Sequence, residues 1–220
     1  RQLLSNPPFN FLSQALSDRL EECSELVRYE LGARILSPEQ LPPGLLVVLQ
    51  GEVRLMAKLR SNRLITMERR GPGQLLGWVS LLRGQACELV QVSEVCVCLL
   101  VPADLLLDCF RSCDQFVEFF ATRTTPSEIS TALLKQYDSF LAPPADEEQW
   151  LKQSVEKTRI ISSSVDVVND NQRTILSSFV SANGPHPGDC ISANALFEDA
   201  TGFPLRRFVC PAYLLDPYQR

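Results

Sequence analysis

A chain of 220 residues has room for one medium-sized domain, with or without a smaller one, and 45% hydrophobic with 21% charged residues is the composition of a globular protein. The formal net charge of -5 argues against a general nucleic-acid surface, which requires a basic excess. No apolar run is long enough to span a bilayer, and the chain starts at Arg1, so we expect part of a longer protein that meets membranes only through other segments or partners.

The first 101 residues predict a helix followed by strands. Residues 1–31 favour a helix because apolar residues recur at three- and four-residue steps, with Gly32 as the expected C-terminal stop. Beyond it, short runs alternate apolar and polar residues and are separated by turn signals at roughly ten-residue spacing. The expected strands are 45–49, 53–59, 64–68, 89–92 and 95–101. This pattern is typical of a sandwich or jelly roll.

Helical patterns follow the strands. Pro102 ends the last strand, and residues 103–110 and 114–120 predict two helices. A third helix has a clear start, with Thr125 as N-cap, Pro126 at the first position and Glu128 closing a capping box, and it is expected to run towards residue 140.

The sequence LAPP at residues 141–144 is a linker signal, and it divides the chain into an expected domain at 1–140 and a smaller segment at 141–220. In the second part Asp146 predicts the cap of a short helix. Short strands are expected at 160–168, 174–180 and 204–209. The predicted fold class is therefore mainly β with flanking helices: a β jelly roll plus a small β-rich C-terminal segment.

The eight cysteines predict buried thiols rather than a disulfide framework. Cys96 and Cys98 lie in an alternating apolar run, and Cys23 lies on the apolar face of a helical pattern. We interpret them as small buried hydrophobic residues in a reducing compartment, which favours the cytoplasm. Structural zinc is the alternative, but the C-x-C spacing does not suit it and the single histidine, His186, is far away in sequence.

Four short motifs resemble, in the right order, those of the cyclic nucleotide-binding domain family. GEVRL at 51–55 resembles the family's GxVxL strand opening, and GPG at 71–73 resembles its turn. GWVSLL at 77–82 resembles the start of the phosphate-binding cassette, a short helix whose N–H groups face the ligand phosphate, and VPAD at 101–104 resembles the exit from strand to helix. The resemblance covers residues 9–140 and implies the jelly roll of that family.

The residues expected to bind a ligand depart from the family pattern. In the family a cassette glutamate binds the ribose 2′-hydroxyl and an arginine pairs with the cyclic phosphate. Here Trp78 replaces the glutamate and cannot accept a hydrogen bond, while Cys87 or, in the register we favour, Glu88 replaces the arginine. The candidate site is thus a degenerate cassette made of Gly77, Trp78, Val79, Ser80, Leu81, Cys87 and Glu88, and we expect neither a cofactor nor a metal.

Other candidate groups have an ordinary structural explanation. Trp78 either stacks on a ligand or fills an empty pocket, and we favour the second interpretation. Arg54 and Arg83 are expected to be exposed, as arginines on loops and strand faces usually are. The adjacent Arg206 and Arg207 are expected to point to opposite sides of a strand and to form no common site.

No nucleophile elbow, phosphate-binding loop or zinc-protease motif occurs, so an enzyme has no support. No basic recognition helix follows residue 140, which argues against a transcription factor. By analogy with the family we expect a regulatory or partner-docking domain of a bacterial ABC-type export protein, acting in the cytoplasm with a protein partner or a downstream membrane or ATPase module, without nucleic acid or cyclic nucleotide. The alternatives are a small-ligand sensor of a signalling or transcription regulator, for a cyclic nucleotide or another anion, and a homodimeric regulatory module.

Overall fold

The structure, a computed structural model, describes residues 5–137, 140–142, 144–161, 169–192, 203 and 205–218. Its first part contains the 3-10 turn Phe9–Phe11, α1 (Gln14–Cys23), β1 (Glu25–Tyr29), β2 (Arg34–Leu36), β3 (Gly44–Lys58), β4 (Leu64–Arg70), β5 (Leu75–Leu76), α2 (Trp78–Leu82), β6 (Leu89–Pro102), α3 (Ala103–Ser112), α4 (Asp114–Ala121) and α5 (Pro126–Tyr137). Its second part contains α6 (Glu147–Lys157), β7 (Arg159–Ile161), β8 (Gln172–Leu176), β9 (Cys190–Ile191), β10 (Arg207–Pro211) and the 3-10 turns Ala212–Leu214 and Asp216–Tyr218. The predicted class, a β jelly roll with flanking helices and a small β-rich C-terminal segment, is confirmed.

The first antiparallel sheet has the order β1-β6-β3-β4, with β2 added to β6 and β5 added to β3. Its centre is the long ladder between β3 and β6, which runs from Gly44 opposite Pro102 to Met56 opposite Leu89. The predicted strands 45–49 and 53–59 are therefore one strand, and so are 89–92 and 95–101. Register shifts between Val48 and Val53 explain the error, because a β-bulge breaks the alternation by which a strand is recognised.

The predicted helix over 1–31 is wrong beyond Cys23. Ser13 caps α1, and the next residue after the helix, Ser24, is already extended with ψ 143°. The following residues form β1, which pairs with β6, so tertiary pairing overrides the apolar spacing. Gly32 lies in the turn between β1 and β2 with φ +82° and does not end a helix. Leu31, which had extended the helical pattern, is 69% exposed.

The helices after the roll bring the C-terminal segment close to it. The Thr125 hydroxyl accepts the Glu128 N–H at 3.2 Å, which confirms half of the predicted capping box at the start of α5. This helix ends at Tyr137, short of residue 140, and it packs on β3 and β4. Among the described residues no helix has both the length and the apolar character needed to cross a membrane.

The second antiparallel sheet has the order β7-β10-β8-β9. The predicted cap at Asp146 is confirmed, since its carboxylate accepts the Gln149 N–H at 2.9 Å at the start of α6. Of the predicted strand 160–168, all but the first two residues lie outside the described ranges. The apolar side chains of this half share one buried cluster with α5 and the roll: Ala57, Leu59, Ile65, Ile129, Leu133, Trp150, Leu151, Ile175 and Phe208.

Candidate functional site

The short helix α2 starts at a glycine that the local geometry requires. Gly77 has φ +86°, a left-handed conformation that side chains disfavour, and it precedes the first helical residue, Trp78. A Cβ atom here would lie 2.8 Å from the carbonyl oxygen of Gly44. All five residues of α2 are buried, so the helix presents its first N–H groups to the protein interior rather than to solvent.

Glu88 occupies the start of this helix. One carboxylate oxygen accepts the Gly77 N–H at 3.0 Å and the other accepts the Ser80 hydroxyl at 3.0 Å. The Ser80 oxygen in turn accepts the Cys87 N–H at 3.2 Å. Glu88 is 1% exposed, so its carboxyl group lies inside the protein at the place where the family resemblance puts a ligand phosphate.

Burial raises the pKa of Glu88 above its ordinary value of 4.5, while its bonds from Gly77 and Ser80 oppose the rise. The neighbouring Cys87 thiol is also buried, and burial raises its pKa to about 11. A thiol with such a pKa is protonated at neutral pH, so Cys87 supplies neither a nucleophile nor a charge for a ligand.

The wild-type protein is expected to lose stability as pH rises, and Glu88→Gln is expected to lack this loss. Because the raised pKa means that the folded wild type holds the Glu88 proton more tightly than the unfolded chain does, its free energy of unfolding should decrease as pH rises from about 4.5 to the pKa of Glu88 in the folded state. Urea titrations between about pH 5 and about pH 8 measure this, since the free energy of unfolding of the wild type minus that of Glu88→Gln should fall as pH rises. A difference that does not change with pH would contradict the raised pKa.

Trp78 is a packed core residue, in agreement with the favoured interpretation. Its ring centroid lies 4.8 Å from that of Phe120, and the guanidinium carbon of Arg206 lies 5.4 Å from the ring centroid on another side. Val79 and Leu81 belong to the same apolar cluster, which α3 and α4 complete. These three candidate residues therefore hold α2 in place, while Ser80 and Glu88 provide its polar contacts.

A buried ion pair next to this site was not predicted. Arg206, only 3% exposed, donates from Nε to one oxygen of Glu128 at 2.7 Å and from Nη2 to the other at 2.8 Å. It also donates to the backbone carbonyls of Phe120 at 3.2 Å and Arg123 at 2.6 Å. Arg206 forms this ion pair by itself, from a position just before β10, so the buried pair leaves the expectation that Arg206 and Arg207 form no common site in place.

Glu128 has a full set of partners for a buried carboxylate. Besides Arg206 it accepts the hydroxyls of Ser177 at 2.7 Å and Thr124 at 2.9 Å. Burial by itself raises its pKa, but the charge and hydrogen bonds of Arg206 outweigh burial and hold the pKa below its ordinary value. The carboxylate is thus engaged with the C-terminal segment instead of closing the predicted capping box.

Arg83, which was expected to be exposed, is 1% exposed. Its Nε donates to the Ser177 carbonyl oxygen at 2.9 Å, while its Nη1 is buried without a partner among the described residues. Arg54 is partly buried and donates to the Gln91 side chain at 3.1 Å, so neither arginine reaches α2's N-terminus. His186 is exposed, as expected.

The cysteines are present as thiols. None of the eight cysteines forms a disulfide. Cys96 and Cys98 are buried as predicted, but Cys23 is exposed at the end of α1. Within the part of the chain that the structure describes, no three histidine, cysteine, aspartate or glutamate side chains are grouped as metal ligands would be. No candidate residue therefore has a metal-binding arrangement.

Several solved structures resemble this fold at low identity. One is the regulatory subunit of a cAMP-independent protein kinase A from Trypanosoma brucei, 18% identical with TM-score 0.48 over 56% of this chain and 46% of that one. Another is the sensor domain of the transcriptional regulator DNR from Pseudomonas aeruginosa, 14% identical with TM-score 0.47 over 64% of this chain and 96% of that one. The Thermus thermophilus catabolite activator protein is 23% identical with TM-score 0.47, over 61% and 65%.

The present chain thus spans less than half of the trypanosome protein and just under two thirds of the Thermus protein. No curated protein matches its sequence. The family model described as "Cyclic nucleotide-binding domain" matches residues 26–113, which contain the strands of the first sheet, α2 and α3. Residues 26–113 are therefore the part of the chain that is similar to this family.

Proposed function

We propose that this chain is a non-catalytic regulatory or partner-docking module whose cassette no longer binds cyclic nucleotides. The observation that carries the proposal is the position of Glu88, whose carboxylate already accepts the Gly77 N–H and the Ser80 hydroxyl. A cyclic phosphate entering there would have to displace this carboxylate or lie against its charge. Neither is favourable in a buried site, where unpaired like charges cost most.

Two further contacts support the loss of nucleotide binding. Trp78, at the position of the family's ribose-binding glutamate, is packed against Phe120 and offers no acceptor. On the other side of the cassette, α5 is held close by the hydroxyl of Thr131, which donates to the Cys87 carbonyl oxygen at 3.1 Å. The space beside the cassette is therefore taken by the protein's own side chains.

The regulatory part of the proposal rests on how the C-terminal segment is connected. Arg206 joins it to the start of α5 through Glu128 and to the end of α4 through two carbonyl groups. A change at α2 would reach Arg206 through the ring of Trp78, which contacts it directly. The segment 141–220 is in this arrangement the part that senses the state of the roll or presents it to a partner.

Cyclic AMP and cyclic GMP are expected to leave the amide signals of Gly77 and Ser80 unchanged in a ¹⁵N-labelled protein, at up to about 10 mM ligand. The measurement is a two-dimensional NMR titration, in which these two amides report on the start of α2. A saturable shift of both amides would contradict the proposal.

Two single variants, each of which removes one carboxylate, provide the matched control. Glu88→Ala frees the Gly77 N–H and is expected to let phosphate groups shift both amides weakly. Glu94→Ala, which removes an exposed carboxylate from β6, the strand that follows Glu88, should behave as wild type. Equal behaviour of the two variants would show that the Glu88 carboxylate is not what excludes the ligand.

The expectations about the parent protein, its partners and its location remain predictions. An export protein would encode apolar segments of about 20 residues downstream of this chain, which sequencing of the gene would reveal. Co-purification tests for a protein partner, and sedimentation tests for a homodimer. Cell fractionation tests the cytoplasmic location, and filter binding tests the expected lack of nucleic-acid binding. The alternative of a small-ligand sensor gains support from a cleft outside the cassette, described next.

A further inference from the structure

We propose that a cleft between the turn before α2 and the end of α4 binds a small organic anion with an aromatic ring. The inference goes beyond the proposed function, because this cleft adjoins α2 only at Trp78 and is not lined by Gly77, Ser80 or Glu88. Its volume is about 340 Å³, within the range of small-molecule sites. The side chains that the argument uses are Arg70, Gln74, Trp78, Phe119 and Arg123.

The cleft is positively charged in a protein of net charge -5. Two guanidinium groups line it, and no aspartate or glutamate is among its lining residues. Arg70 is paired through Nη2 with Glu68 at 2.8 Å, which leaves its charge partly compensated, and its Nε has no partner among the described atoms. An anion entering the cleft would therefore meet cationic donors without a competing carboxylate in the lining.

Arg123 supplies the stronger of the two donors. Its guanidinium carbon lies 3.6 Å from the centroid of the Phe119 ring, so the planar group is held flat on the ring. Its Nη1 donates to the Phe119 carbonyl oxygen, while Nε and Nη2 have no described partner. A guanidinium that is already oriented and still has donors is suited to a carboxylate or a phosphate monoester, which it can bind with two parallel bonds.

The remainder of the cleft favours a ring over a bare inorganic anion. Leu75 and Phe119 are partly exposed and supply its accessible apolar surface, whereas Trp78 and Phe120 line it but are buried. Aromatic side chains bind rings in offset or edge-to-face geometry, which adds to the area that such a ligand would bury. The exposed Gln74 stands at the rim, where its amide would reach polar groups of the ligand.

The test uses phenyl phosphate, inorganic phosphate and benzyl alcohol as probes in the same NMR titration. Phenyl phosphate is expected to shift the Gln74 and Thr124 amides and the Trp78 indole N–H, with the other two probes binding at least tenfold more weakly. Arg123→Gln should weaken phenyl phosphate about tenfold or more. Arg111→Gln, which removes an exposed arginine outside the cleft, should leave the affinity unchanged.

Arg123→Lys keeps the charge but loses the planar guanidinium, so its affinity for phenyl phosphate should lie between those of the wild type and Arg123→Gln. This variant keeps the proposal testable if Arg123→Gln folds poorly. The proposal is overturned if phenyl phosphate shifts none of these signals at about 10 mM, if inorganic phosphate binds equally well, or if Arg123→Gln binds as wild type. The proposed function is tested by cyclic nucleotides at the Gly77 and Ser80 amides, and this cleft by phenyl phosphate at the Gln74 and Thr124 amides, so the two failures are read from different ligands and different signals.

Discussion

Replacing Arg206 with methionine is expected to lower the free energy of unfolding by about 3–5 kcal/mol. The substitution keeps much of the side-chain volume but leaves the Glu128 carboxylate buried without its cation. It also leaves the carbonyl oxygens of Phe120 and Arg123 without their donor. Urea unfolding followed by circular dichroism measures the loss.

Two controls separate the buried pair from a generic loss of charge. Arg19→Met breaks an exposed pair with Asp108 and should cost about 0–1 kcal/mol. Adding Glu128→Met to Arg206→Met should recover part of the loss, because the unpaired buried carboxylate is then gone. If Arg206→Met costs no more than Arg19→Met, the ion pair does not fasten the C-terminal segment as described.

Gly77→Ala is expected to destabilise the protein by about 2–5 kcal/mol. The left-handed conformation contributes about 1–2 kcal/mol of this. The remaining 1–3 kcal/mol, roughly, comes from the new Cβ, which would lie 2.8 Å from the backbone oxygen of Gly44, an atom that cannot move without shifting β3. The start of α2 would shift as well, and with it the bond between the Gly77 N–H and Glu88.

Gly73→Ala is the matched control in the same stretch of chain. Gly73 has φ +84°, but a Cβ there would have no atom within 4 Å. This variant should therefore show the conformational cost alone, and the difference between the two variants isolates the close approach to Gly44. Equal losses in urea unfolding would mean that the backbone around Gly44 adapts to the extra atom.

Local signals in the sequence were sufficient for several elements. Ser, Thr and Asp caps act on amides three residues away, so Thr125 and Asp146 could be identified without knowledge of the fold. The motif order predicted the roll and the position of α2 correctly. The register that places Glu88 rather than Cys87 opposite the cassette followed from the apolar strand behind it, and the carboxylate does lie at the helix start.

Elements defined by distant partners were the ones predicted wrongly or not at all. The apolar spacing around Val27 suits a helix, yet five consecutive residues there pair with β6, about 70 positions later. The bulges of β3 and β6 interrupt the alternation that makes a strand recognisable, so each long strand was read as two. In both cases pairing with a remote strand decided the local conformation.

The sequence by itself determined the β-rich fold with flanking helices and the position of α2. Only the tertiary structure decided which polar groups surround this helix. Arg206 and Glu128 are 78 positions apart, and nothing local marks an arginine before a strand as buried. A buried charge must find a counter-charge or enough hydrogen-bond partners, and which groups come within reach depends on how the whole chain packs.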